Sequence, residues 1–410
     1  MSQYLKRVAK LIAKLFPKLL LNLLIRYPKN KTIKRIVRPS TEILEQYLQK
    51  KKIKKYQNTL IIMRTDAIGD YILFRNFLAD VRKSEKFKDY RIVLFGNALW
   101  KDIAEHYDNE FIDEFIWFKH SDIFTEYREV EILRIGYLLF LSKAAVLVNS
   151  VISRENIFER IASLSGAKEK VAPEDDYINK QAPMAGYEYD INIEIPNYHN
   201  FEFLRNQTFF KKLLEKEYIT EKLCLNPISV PLLDNKLPAQ YVLLFPGAGA
   251  TYRRWDAKNY ASIAKHISGK HKLDIVLAGG KNEVELSSII QLQMRNTCIN
   301  LVGETTLVEL VEIIRRARLL ISNETSAVHI GVATNTKIIC LSNGNHFGRF
   351  NPYPKEIYQE AYYIYPDSIK HDIKLYPEQV SEKFKYSSLI DINEISPQEV
   401  IEKVDEVLEK

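Results

Sequence analysis

The sequence predicts an α/β protein made of two doubly wound parallel-sheet domains. Three observations carry that prediction. The chain has 410 residues, beyond the length at which one hydrophobic core usually stops growing. Short apolar runs alternate with amphipathic stretches in two separate series, which is the pattern of βα repetition. Between the series, residues 173–200 (PEDDYINKQAPMAGYEYDINIEIPNYHN) lose the rhythm and gather prolines and tyrosines, so the crossing between domains is expected within or just after them.

In the first series, strands are expected at 59–64 (TLIIMR), 91–96 (RIVLFG), 111–118 (FIDEFIWF) and 144–149 (AAVLVN), with helical patterns at 69–84, 97–106, 127–141 and 154–164. A helix at 200–216 follows the irregular segment. The second series places strands at 241–246, 273–278, 298–302, 318–322 and 337–342, separated by helices near 256–267, 282–293, 306–317 and 325–334. The expected limits are 1–57 for an N-terminal arm, 58–200 and 201–395 for the two domains, and 396–410 for a closing helix able to pack back on the first domain. That helix opens on Ser396-Pro397-Gln398-Glu399, a capping box with proline at the first helical position.

Charge is divided unevenly. Residues 1–56 hold 16 Lys/Arg against two acids, a net +14, while the remainder of the chain is −7. The arm begins MSQYLKRVAKLIAKLFPKLLLNLL, with Leu5, Val8, Leu11, Ile12, Leu15 and Leu19 at helical spacing and Lys6, Lys10, Lys14 and Lys18 on other positions of the wheel. It reads as a basic amphipathic helix kinked at Pro17. Lysines interrupt it too often for a bilayer span, and no small-residue cleavage site follows an apolar run. Two readings fit residues 1–40: a helix lying on an anionic membrane surface, or one packed on its own protein with a solvated lysine face. Nucleic acid is not an expected partner, because basic residues interleaved with aromatics are missing. Three separated cysteines, an odd count without a CxxC pair, argue against a disulfide framework and a zinc site and fit a reducing, cytosolic compartment.

Four clusters can carry chemistry, each just after an expected strand. In Asp66-Ala67-Ile68-Gly69-Asp70, Asp70 can cap the following helix or act as a general base toward a bound hydroxyl; the roles are compatible. The three-glycine fingerprint of a dinucleotide fold is absent there. In FPGAGATYRRW, Gly247 and Gly249 let a ligand approach the backbone and Arg253 and Arg254 suit a diphosphate, although an exposed basic turn fits equally. Glu283, after the double glycine of LAGGKNE, is placed to accept from a ribose diol or is an ordinary first-turn acid. In LLISNETSAVHIGVAT, a strand delivers Glu324, Thr325 and Ser326 to a helix start whose N–H groups at Ser326, Ala327 and Val328 make an anion site, with His329 one turn inward.

Together and in this order, the four clusters resemble glycosyltransferase family 9, the ADP-heptose:lipopolysaccharide heptosyltransferases, over about residues 58–355. Gly69-Asp70 matches an early Gly-Asp turn, and Pro246-Gly247-Ala248 with Arg253-Arg254-Trp255 matches a PGA loop ending in Lys/Arg-Arg-Trp. Asn323 to Ala333 matches the signature N-D-T-G-x-x-H-x-A-x-A, and the Gly344–Pro352 loop matches G-x-x-x-P-x-R-x-x-P with Arg349 and Pro352 retained. Glu324, Ser326 and Gly331 depart from the signature, which puts the donor sugar in question.

The resemblance implies a GT-B fold, two Rossmann-like domains facing across a cleft, and inverting sugar transfer from a nucleoside-diphosphate-sugar to a lipid-linked or oligosaccharide acceptor. Asp70 would be the base, with Gly69 and Asp66 on the acceptor side. Gly247, Arg253, Arg254, Glu283, Glu324, Thr325, Ser326, Ala327 and His329 would hold the nucleotide-sugar. No cofactor is implied, the nucleotide-sugar being a substrate, and no metal, since no DxD-type cluster has a clear metal role. The expected location is the inner face of the cytoplasmic membrane. The alternatives are a GT-B protein of other chemistry, such as a nucleotide-sugar epimerase, and a membrane-associated binding protein whose transferase site has decayed.

Overall fold

The computed structural model describes residues 3–174, 188–196, 201–234 and 236–409. In the first domain, β1 (Gln57–Arg64), β2 (Arg91–Asn97), β3 (Glu114–Phe118), β4 (Ala144–Asn149), β5 (Glu169–Pro173) and β6 (Ile191–Ile193) form one parallel sheet in the order β3-β2-β1-β4-β5-β6. In the second, β7 (Tyr241–Phe245), β8 (Asp274–Leu277), β9 (Ile299–Asn300), β10 (Leu319–Asn323), β11 (Ile338–Leu341) and β12 (Ala361–Ile364) run β12-β11-β10-β7-β8-β9. Counted from its own first strand, each sheet has the order 3-2-1-4-5-6. Each therefore has a crevice at the carboxyl ends of its first and fourth strands, where the winding reverses.

The central strands read as unbroken apolar runs because helices cover both faces. Residues of β1 alternate between two cores. Leu60 and Ile62 join the cluster containing Phe74, Phe77, Phe209 and Phe210; Ile61 and Met63 join the one containing Leu44, Leu48, Leu133 and Tyr137.

Four helices make up the arm: α1 (Gln3–Leu15), α2 (Pro17–Arg26), α3 (Lys31–Val37) and α4 (Thr41–Lys50). The break before Pro17 falls where proline denies the helix a donor. Leu20, Leu21, Leu24, Val37, Leu44 and Leu48 are buried against the first sheet and its helices. At about 1.5–3 kcal/mol for each large aliphatic side chain buried, this face is integral to the first domain. Of the two readings of the arm, packing on its own protein is therefore realised, yet Tyr4, Leu5, Leu11, Leu15, Phe16 and Leu19 stay more than half exposed.

The expected helix at 69–84 divides into α5 (Ile68–Ile72) and α6 (Phe77–Arg82). Beyond them come α7 (Lys101–Tyr107), α8 (His120–Ile123), α9 (Arg128–Leu141), α10 (Asn156–Leu164) and α11 (Glu202–Leu214). The sequence boundary at 200/201 assigns α11 to the second domain, but its Phe210 stacks on Phe77 of the first and its Phe203 packs tilted against the same ring. An amphipathic stripe shows that one face is buried without showing against what. The crossing expected at 173–200 lies largely outside the described residues.

The second domain carries α12 (Pro231–Asp234), α13 (Ala257–His266), α14 (Val284–Gln293), α15 (Leu307–Arg316), α16 (Ser326–Ala333), α17 (Asp367–Leu375), α18 (Pro377–Phe384) and α19 (Pro397–Leu408). Of the expected capping box the Ser396 half is present, its hydroxyl accepting from the Glu399 N–H, while the Glu399 carboxylate pairs with Lys370 instead. The helix it opens does not return to the first domain. Val400, Val404 and Val407, one stripe of α19, are buried with Tyr260, Ile263 and Ala264 of α13 over the second sheet, and Asp405 pairs with His266 and His271. The two domains meet where α5 packs on α16 and α7 on α15.

Candidate active site

The turn after β1 is anchored from below. The Asp66 carbonyl accepts from Asn97 Nδ2 at 3.3 Å and from Trp100 Nε1 at 3.2 Å, while its carboxylate lies 2.9 Å from Arg64 Nε. Asp70 stands in the first turn of α5, and its Oδ2 accepts the Ala67 N–H at 3.3 Å. The capping role is thus real, and the same side chain lines the cleft.

Arg64 is fully buried. It donates to the Ser150 carbonyl at 2.8 Å, Asn206 Oδ1 at 3.1 Å and the Asp70 carbonyl at 3.2 Å, and it lies 3.5 Å from Glu202 Oε1. Glu202 in turn accepts from Arg349 Nε of the second domain at 3.2 Å. Loss of solvent pushes Asp66 up to about 8 and raises Asp70 too; Arg64 pulls both down, and the Glu202 charge pushes both up. The Asp70 charge also raises Asp66, so the titration of the two carboxylates belongs to the pair. Glu202 itself is held below the usual range: burial raises it, but Arg349 and Arg64 more than offset that.

The facing wall comes from three strand ends of the second domain. After β7, Asn323 of β10 donates through Nδ2 to the Pro246 carbonyl at 2.7 Å and the Gly247 carbonyl at 3.2 Å, tying the PGA loop to the neighbouring strand. Arg254 folds back on that loop, donating from Nε and Nη2 to the Ala248 carbonyl at 3.0 and 2.9 Å. It is a brace. Arg253 lines the cleft, its Nε buried without a hydrogen-bond partner and its Nη1 3.9 Å from Glu324.

Glu283 lies against glycine backbone: a Cβ on Gly247 would fall 2.0 Å from its Oε1, and one on Gly279 2.5 Å from its Oε2. Its Oε2 accepts the Gly280 N–H at 2.5 Å. Desolvation raises its pKa, with the Gly280 bond and Arg254 opposing. After β10, Glu324 Oε2 accepts from Ser342 at 3.1 Å, and its Oε1 lies 3.3 Å from His346 Nδ1.

Two expectations for α16 change. Thr325 Oγ1 accepts the Ala327 N–H at 3.2 Å, and the Val328 N–H bonds to the Thr325 carbonyl. Only Ser326 of the three amides expected to be free is not taken up by this cap, and Ala327 itself is buried. His329 is also buried, with Nδ1 2.7 Å from the Tyr353 hydroxyl. Burial lowers its pKa to about 4 against a small opposing pull from Glu202, so the ring is neutral and brings no charge to a phosphate.

Asp70, Gly69, Arg253, Glu283, Glu324, Thr325, Ser326 and His329 therefore share one cleft of about 450 Å³. Gly69 permits its narrowness, since a Cβ there would lie 2.8 Å from His329 Cδ2. Residues 64, 202 and 353 escaped the sequence reading, and the only signal in reach was Arg64 ending a strand that is otherwise apolar. Among the described residues, one group has ligand-like spacing for a metal, His266, His271 and Asp405. It lies away from the cleft, and Lys270 already occupies Asp405 Oδ2 at 2.9 Å.

Residues 179–373 match the family model of glycosyltransferase family 9 (heptosyltransferase). A lipooligosaccharide heptosyltransferase 2 from Haemophilus influenzae is 26% identical over 162 residues, which cover 38% of this chain and 44% of that protein. One from Campylobacter jejuni is 28% identical over 117 residues, 28% of this chain and 37% of that protein. The chain thus spans less than half the length of these curated relatives.

Among solved structures, a family 9 glycosyl transferase from Veillonella parvula superposes with a TM-score of 0.66 at 17% identity, covering 88% of this chain and all of that one. The E. coli heptosyltransferase WaaC with ADP gives 0.62 at 12%, covering 85% and 99%. At such identities the structural likeness speaks for the fold, and that fold is GT-B. The family match falls on residues 179–373, just under half of the chain, and it is this part, carried on a GT-B architecture, that is similar to glycosyltransferase family 9.

Proposed function

We propose that the chain is an inverting glycosyltransferase that moves heptose or a related sugar from an ADP-linked donor to a hydroxyl of a lipopolysaccharide or other surface-glycan acceptor. The observation that carries this reading is the pairing of Asp70 with Arg253 across one cleft: a carboxylate with a raised pKa on one wall, and on the other a guanidinium whose Nε lacks a partner. The matched relatives are lipooligosaccharide heptosyltransferases, and one neighbour of the same fold was solved with ADP.

The acceptor hydroxyl attacks the anomeric carbon from the first-domain side, and Asp70 accepts its proton. The bond to the diphosphate breaks on the opposite face, inverting the centre. Negative charge gathers on the leaving phosphates, where Arg253, the Ser326 amide and the Thr325 and Ser326 hydroxyls meet it. Glu283, held still by its glycine contacts, accepts from the ribose. Protein cations and amides cover the phosphates, so the step needs no metal. The arm holds the enzyme on an anionic membrane face through its exposed apolar residues; no described helix is long and apolar enough to cross a membrane.

The test is donor hydrolysis and transfer across ADP-, GDP-, UDP- and CMP-sugars, with wild type beside Asp70→Asn. Turnover with an ADP-sugar that collapses in the variant is expected. Failure to bind or turn over any donor would reject the enzyme reading. For the arm, removing residues 1–40 would strip the first core, so Leu11→Ser/Leu15→Ser is the suitable variant. Its flotation with anionic liposomes should fall below that of wild type.

A further inference from the structure

The arm and the start of α9 form an open hollow of about 810 Å³ that sugar transfer does not use. Lys6 and Lys10 line it from α1, Lys31 and Arg35 from α3, and Arg38 from the turn that follows. Its one acid, Glu126, is 2.7 Å from Arg38, so that pair is neutral. The other four cations have no carboxylate within ion-pair distance among the described residues. This is not a general habit of the arm. Lys34 pairs with the buried Glu131, and Arg160 grips Glu45 through two bonds, so acids are present where arm and body meet. Four like charges around one hollow repel one another, and an anion in the hollow would reverse the sign of that interaction.

Two further observations identify the anion. Ammonium and guanidinium groups converging from several directions suit a phosphate, which has acceptor oxygens on every side. The same helix that supplies Lys6 and Lys10 leaves Tyr4, Leu11 and Leu15 exposed at 74%, 57% and 63%. Phosphate beside exposed apolar surface is the chemistry of a lipid headgroup. The cavity also lies toward the acceptor end of the domain, since Glu126 and Tyr127 immediately precede α9, at the carboxyl edge of the first sheet from which the Asp66–Asp70 turn emerges.

We propose that this cavity is a specific site for the phosphate of an anionic lipid headgroup, and that it fixes how the protein sits on the membrane. The inference rests on the membrane reading above and adds a defined pocket to it. The test floats full-length protein on phosphatidylcholine vesicles with and without phosphatidylglycerol, comparing wild type, Lys31→Gln/Arg35→Gln, and a control, Lys54→Gln/Lys55→Gln, which removes as much charge outside the cavity. All four positions are exposed, so unchanged thermal melting is expected and is checked first.

The expected result is a loss of about thirtyfold in partition for the cavity pair, at about 1 kcal/mol per basic residue near an anionic surface, and less than about threefold for the control. Equal losses in both variants, or none in the cavity pair, would overturn the site while leaving membrane binding intact. Wild type that ignores phosphatidylglycerol altogether would remove the membrane reading itself. Inorganic phosphate is then titrated into wild type and the cavity pair; binding in wild type alone would assign the hollow to a soluble phosphate and overturn the lipid assignment.

Discussion

The turn after β1 and the loop after β7 occupy the same place in two sheets of the same strand order, yet one presents carboxylates and the other arginine. Asp66 and Asp70 sit at the first crevice, with Arg64 turned away beneath them; Arg253 sits at the second, with Arg254 folded back as a brace. The backbone position is common property of the fold, and under the proposed transfer the side chains divide the labour. A pair of sheets that both bound phosphate would have nowhere to put a base, and a pair that both bore acids would leave the diphosphate unneutralised.

That contrast can be broken from either side. The largest effect is expected from Asp70→Asn, which keeps the shape and removes the base: turnover should fall about a thousandfold while donor affinity, read by calorimetry, stays within about threefold. Equal losses in both would mean that Asp70 serves donor binding. Next, Arg253→Gln should cost about a hundredfold in turnover with a weaker donor complex, and Arg253→Lys should recover part of it, because charge survives where the planar fork does not.

Gly69→Ala tests the narrow gap between the walls. Its Cβ would meet His329 Cδ2 at 2.8 Å, so the domains must part slightly. About a tenfold loss in kcat/KM is expected from steady-state kinetics, with about 1–3 kcal/mol off the stability measured in denaturant. The smallest effect is a displacement of the pH profile. A base works only when deprotonated, so kcat/KM should fall as pH drops through the raised titration of the Asp66/Asp70 pair, above the usual aspartate range. Asp66→Asn removes a like charge and releases Arg64, both of which lower the remaining pKa. The acid limb should then move to lower pH.

Much of this division was legible in the residues. Central strands such as TLIIMR announce themselves because both faces are covered, and the four clusters lie at strand ends where a doubly wound sheet exposes its ligand edge. Strands β5, β6 and β12, at or next to a sheet edge, went unread: they are short and partly exposed, so their pattern is not that of a buried run. The ion network beneath the turn was unreadable for another reason. Arg64 and Glu202 lie 138 positions apart, and nothing local in either stretch states that they meet. The same holds for α11 and α19, whose apolar stripes were plain but whose partners are fixed only by three-dimensional packing.

Glu202 has a consequence for anyone recombining these halves. Its N–H donates to the Arg349 carbonyl at 2.9 Å, its carboxylate accepts from Arg349 Nε, and its other oxygen faces Arg64. A chimera that joined this first domain to a foreign second domain would sever that knot, leaving a charged group buried without its counterpart. Domain-swapping libraries should therefore treat residues 64, 202 and 349 as one inherited unit, carrying Arg349 along with the half that supplies Arg64 and Glu202.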